Sequence, residues 1–331
     1  MFFSGDGDGE TAGRASSNRS EKGTSVRRNQ SIGELAMKNR VFISAFFLGY
    51  LVAVPPTNAD TFFFNNGNVT NQMAVASRPQ SQGKFEIEAG DDFLLSNRTQ
   101  INSATFTGLV PAGSTVTDLT VEIYRVFPND SNVARTSGPP TFSTSQVPTR
   151  VNSPSDVAFA SRDSAASELT FSTSALAATF TALNSVQPGG IHPMPGQTTG
   201  GNGPVTGQET LFNVTFTTPF DLPPDHYFFV PQVELASGNF MWLSSVRPIV
   251  APGTPFMPDL QAWTRDAMLD PDWLRVGTDI VGGSPAPTFN LAFSLQGVSA
   301  VPEPSTWALL LAGFLGLGFA FRQSRRKVSF A

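Results

Sequence analysis

A two-residue alternation of apolar and polar side chains recurs along the middle of this 331-residue chain, and it restricts the fold more than any other feature. Leu119, Val121 and Ile123 alternate with Thr120, Glu122 and Tyr124. Phe212, Val214 and Phe216 alternate with Asn213, Thr215 and Thr217. Phe289, Leu291, Phe293 and Leu295 alternate with Asn290, Ala292, Ser294 and Gln296. Side chains of a strand point to opposite faces in turn, so each pattern reads as a strand with one buried and one wet face. Further short strands are expected at 62–64, 84–88, 92–95, 104–107, 156–160, 168–173, 178–183, 226–233 and 240–243. Long helical patterns are absent from this region. An all-β body over residues 60–300 follows, an antiparallel β-sandwich of jelly-roll-like type. Stretches 128–154, 186–208 and 247–258 read as loops from their Pro, Gly and Ser content.

Composition then limits what such a body is. The chain has no cysteine, so an exported fold must rest on core burial rather than on disulfides. The overall charge of −5 conceals a lopsided middle: residues 60–300 carry twenty acids against ten bases. That excess opposes nucleic acid and anionic membrane surfaces as partners, since both need a basic face.

Both ends differ from the middle. Residues 1–36 are polar, with five acids against five bases, and read as a disordered leader or as a mis-called start ahead of Met37. Residues 37–59 show a basic start (Lys38, Arg40), an apolar run from Val41 to Val54 and small residues before Asp60. This is the pattern of a secretory signal peptide, with signal peptidase cutting between Ala59 and Asp60. At the other end, Val301-Pro302-Glu303-Pro304-Ser305 precedes an apolar run from Trp307 to Phe321, closed by Arg322, Arg325, Arg326 and Lys327. The run is expected to form a transmembrane helix at 307–321, held by the basic cluster as its cytoplasmic stop. It is short: fifteen residues reach ~22 Å, against ~30 Å of bilayer core.

The order Pro302-Glu303-Pro304, apolar helix, arginine-rich end resembles the PEP-CTERM sorting signal, a tail also labelled an ice-binding protein C-terminal domain. The resemblance covers residues 301–331. It implies recognition by exosortase, a membrane protease-transferase, with Pro302, Glu303 and Pro304 as substrate residues rather than catalytic ones. It also implies a transient membrane anchor and delivery to the cell surface or extracellular matrix. The body more loosely resembles surface domains carried ahead of such tails, and no activity comes with that likeness.

Few residues of the body suggest chemistry. Of its two histidines, His192 lies in a Gly/Pro loop, and His226 opens an apolar strand as a structural residue. No nucleophile elbow and no zinc set appears, so neither a catalytic nor a metal residue is assigned. Structural calcium is the better-fitting metal, through loop acids such as Asp91, Asp92, Asp163, Asp221, Asp225, Asp270 and Asp272. Trp242, Trp263 and Trp273 are the candidate glycan-binding residues, because indole faces stack on sugar rings. Trp263 and Trp273 each sit between an acid and an arginine. The expected role is therefore a non-enzymatic surface protein of the exopolysaccharide matrix. A carbohydrate-binding module using those three indoles is one alternative, and a secreted hydrolase using a carboxylate pair is the other. Composition does not determine oligomeric state.

Overall fold

The computed structural model describes residues 60–135, 150–191, 198–248, 260–300 and 304–326, which belong to one compact unit. The expected leader, the signal peptide with Ala59, His192, Val301 to Glu303 and Lys327 lie outside the described residues.

Fourteen strands form two sheets among these residues, nearly all antiparallel. The larger sheet is built around β4 (Thr99–Val110). One edge of β4 pairs along its whole length with β9 (Val205–Leu222), which in turn pairs with β7 (Leu169–Ala182). The other edge is shared in succession. β14 (Phe293–Ser299) takes the first part and leads on to β1 (Asp60–Asn65). β11 (Met241–Ser245) takes the second part and leads to β2 (Val69–Ala76), which has a short parallel partner, β8 (Ser185–Val186). Where β4 passes β11 the backbone must come close. A Cβ at Gly108 would stand 2.3 Å from the Phe240 ring, so only glycine fits there.

The smaller sheet has the order β13 (Leu274–Arg275), β12 (Trp263–Asp266), β3 (Ile87–Leu95), β10 (Asp225–Leu235), β5 (Val116–Arg125), β6 (Ala160–Asp163). The inward alternations of both sheets meet in one core: Phe106, Phe212 and Trp242 from the larger, Leu119, Val121, Ile123 and Phe229 from the smaller. The rings interlock across it, Phe229 lying 5.0 Å from Phe293 and 6.0 Å from Trp242. β10 is buried on both faces. Tyr227, Phe229 and Val233 face the main core, while Phe228 and Val230 face a second, smaller one. This explains its continuous apolar run, since a strand covered on both sides loses the alternation.

The alternating strands stand where the period predicts them, inside longer elements. Of the strand expected at 84–88 only Ile87 and Glu88 are in a strand, β3, which also holds the one expected at 92–95, and those at 168–173 and 178–183 form most of β7. No strand forms over 156–159, where the chain instead lies across the smaller sheet.

β1 begins at Asp60, paired with Ser299 at the end of β14, and the Ala300 N–H then donates to the Arg98 carbonyl at 2.8 Å. The expected mature start and the exit toward the tail therefore lie side by side on neighbouring strands. Beyond the exit, helix α1 (Pro304–Arg326) runs for 23 residues. The expected transmembrane helix at 307–321 needs correction here: among the described residues no helix is long and apolar enough to cross a membrane. The apolar run is only fifteen residues, and what lengthens the helix is polar, Pro304 to Thr306 at its start and Arg322 to Arg326 at its end.

Candidate functional site

The three tryptophans assigned to sugar stacking are all buried, which overturns that assignment. Trp242 is 0 % exposed, packed in the main core, and its indole N–H donates to the Ala292 carbonyl at 2.9 Å. Trp263 and Trp273 are 2 % and 1 % exposed in the second core, on the outer face of the smaller sheet with Tyr124, Phe228 and Val230. Trp273 donates to the Ser155 carbonyl at 3.1 Å. An indole buries a large apolar area and gains most from being enclosed with its N–H satisfied. The likeness of the two acid–Trp–Arg stretches also has a structural cause. β12 and β13 pair antiparallel with Trp263 opposite Arg275, and the guanidiniums are exchanged: Arg265 lies 4.4 Å from the Trp273 ring and Arg275 5.9 Å from the Trp263 ring.

Around this second core runs a buried ionic network. Glu88 accepts from Tyr124 Oη at 2.6 Å and from Arg265 Nε. Arg265 also donates to Tyr124 Oη at 2.9 Å and to the carbonyls of Asp156 and Pro271 at 3.1 and 3.2 Å. Arg150 and Arg135 clasp Asp156 from the covering loop, and Arg135 lies 3.1 Å from Asp272. Glu122 Oε2 lies 3.0 Å from Tyr124 Oη and receives Gln232 Nε2 at 3.2 Å. A tyrosine hydroxyl has one proton to give, and the shorter contact assigns it to Glu88. Burial first, and the Glu88 charge second, push the Glu122 carboxyl up to about 8. The folded state therefore holds a proton here that the unfolded chain releases above about pH 4.5. Stability contributed by this proton is present at low pH and is lost as pH rises through 4.5 to 8. Glu122→Gln is expected to flatten that fall, raising stability at pH 8 by on the order of a few kcal/mol relative to the parent. Urea unfolding across this pH range is the check.

The loop acids considered for calcium have partners of their own. Asp91 accepts from Asn66 and from the Leu291 N–H, both at 2.6 Å. Asp92 accepts from the Leu260 N–H at 2.9 Å and lies 2.6 Å from His226 Nε2, which is buried at the start of β10. Asp163 accepts from the Ala165 N–H, Asp221 pairs with Arg98, Asp225 with Arg125, Asp270 with Arg265 and Asp272 with Arg135. No group of three or more acids or histidines arranged to hold a metal ion occurs among the described residues.

The outer face of the larger sheet is open. Strand register aligns its outward side chains in rows: Asn65, Ser294, Thr105, Asn213 and Ser172 form one, and Phe63, Gln296, Ser103, Thr215 and Thr170 the next. A groove of about 380 Å³ crosses this face, lined by Asn65, Asn68, Thr107, Leu176, Glu209 and Ser294 among others. Sequence reading missed it because its walls come from six strands, and only their register brings them together.

At one end of the same sheet the body hands over to the tail. Arg98 forks onto Asp221 at 2.8 and 2.5 Å beside Val298 and Ser299, and Ala300 follows. Residues 300–327 match the family description of the PEP-CTERM protein-sorting motif. The chain carries a PEP-CTERM tail. The PEP-CTERM motif implies processing by exosortase, a membrane enzyme, and indicates export with membrane-associated sorting. No curated protein and no solved structure matches the chain. Of the residues assigned to sorting, Pro304 opens α1 and Arg322, exposed, stands in its last turns with Arg325 and Arg326. Leu311, Leu315 and Phe319 of α1 are 61, 70 and 73 % exposed, so the PEP-CTERM helix carries apolar side chains without cover.

Proposed function

We propose that the chain is an exported cell-surface protein whose β body is a non-enzymatic component of the exopolysaccharide matrix, delivered through its PEP-CTERM tail. The motif at residues 300–327 carries this reading. Three further features support it. The body is acidic and free of cysteine, as suits a soluble extracellular chain stabilised by its core. Asp60, the residue expected after signal-peptidase cleavage, is paired with Ser299 in the β body, so a cut before it leaves both sheets whole. α1 bears bare apolar side chains, which favour a lipid phase or a membrane enzyme over water. Signal peptidase and exosortase are the processing partners on this account, and Glu303 is a recognition residue of the substrate. Glu303→Ala in the producing cell is expected to leave a longer, membrane-held precursor, read by immunoblot of cell fractions. Release of that variant at the parent's shortened size would refute the reading.

A further inference from the structure

We propose that the groove on the outer face of the larger sheet binds a neutral saccharide of the extracellular polymer. The inference rests on the surface location proposed above and adds a ligand class and a site to it.

Several acids of the smaller sheet have partners: Glu88 and Asp225 face arginines, Glu122 a tyrosine and Asp92 a backbone N–H. The groove differs. The Glu209 carboxylate has no hydrogen-bond or ion-pair partner among the described residues, and partial burial raises its pKa. Thr107 is 6 % exposed, yet its hydroxyl lines the groove without a partner among the described residues. Asn68, which is exposed, adds an amide without a side-chain partner among the described residues. A partly buried carboxylate, a hydroxyl and an amide, none bonded within the described residues and all open to water, stand around one depression, where a ligand rich in hydroxyl groups can pair with them. Among the described residues no lysine or arginine lines the groove to compensate an anionic sugar, and the acidic body repels one. Apolar surface for the carbon faces of sugar rings comes from Leu176, 54 % exposed in the groove wall. Phe63 extends it, two residues along β1 from Asn65 on the same face and 59 % exposed. The volume falls within the ~300–1,000 Å³ of small-ligand sites.

The test is surface plasmon resonance of the full-length chain in detergent on immobilised gluco-, manno- and galacto-oligosaccharides, with an oligouronate as charged control. At least one neutral sugar is expected to be retained. Glu209→Gln and Thr107→Val are each expected to weaken it about tenfold or more, with the unfolding midpoint and surface display unchanged. Glu209→Gln removes charge without volume, so its binding stays interpretable even if Thr107→Val fails to fold. Failure to retain any neutral sugar, equal retention of the oligouronate, or unchanged affinity in Glu209→Gln would overturn the proposal. Failure of the parent chain to reach the surface while it still binds the sugar would overturn the location reading and leave the site in place.

Discussion

Arg265→Met is expected to destabilise the protein by about 3–5 kcal/mol, the range for removing one partner of a buried ion pair. The side chain is 5 % exposed and spends its guanidinium on Glu88, on Tyr124 and on two carbonyls, with Asp270 at 2.8 Å. Without it the Glu88 charge stays buried beside Glu122, and the carbonyls of Asp156 and Pro271 lose their donor. The Trp273 indole loses the cation stacked on it. Urea unfolding at neutral pH measures the loss. Adding Glu88→Gln to the variant is expected to recover part of it, because the stranded charge is then gone. A loss of less than about 1 kcal/mol, the size expected of an exposed pair, would mean that the network is open to water.

Trp242→Ala is expected to cost a similar amount, about 3–5 kcal/mol, from lost burial and the cavity that follows. The ring lies between the sheets, within 5.8 to 6.4 Å of Phe293, Phe229 and Phe106, and its N–H satisfies the Ala292 carbonyl. A surface indole used for sugar stacking would behave differently, with a stability change within roughly 0.5 kcal/mol and a loss confined to binding. The thermal unfolding midpoint of the variant separates the two roles.

Much of this architecture was legible in the sequence, and the failures share one cause. Alternation is a local property, so β5, β9 and β14 could be located from their own residues. β3 was read as two pieces because Ala89, Gly90 and Asp91 interrupt its apolar pattern, while the pairing that makes it continuous comes from β10 and β12. β2 was missed because its first half is polar and its second half is buried on both sides. The tryptophans were misjudged because burial depends on what covers a face. The cover over Trp273 includes Ser155 and the Arg150 clasp, more than a hundred positions earlier in the chain. The groove was invisible for the same reason, with Asn65, Thr107, Glu209 and Ser294 becoming neighbours only through register. The tail, by contrast, is a contiguous motif over residues 300–327, legible from its own residues without any tertiary contact.

The most direct measurement is the intact mass of the protein recovered from the surface fraction of its own cells, with both ends sequenced. The account predicts a chain that begins at Asp60 and has lost α1, with its new end near the Pro302-Glu303-Pro304 motif. A full-length chain recovered from the cytosol with both ends intact would contradict it.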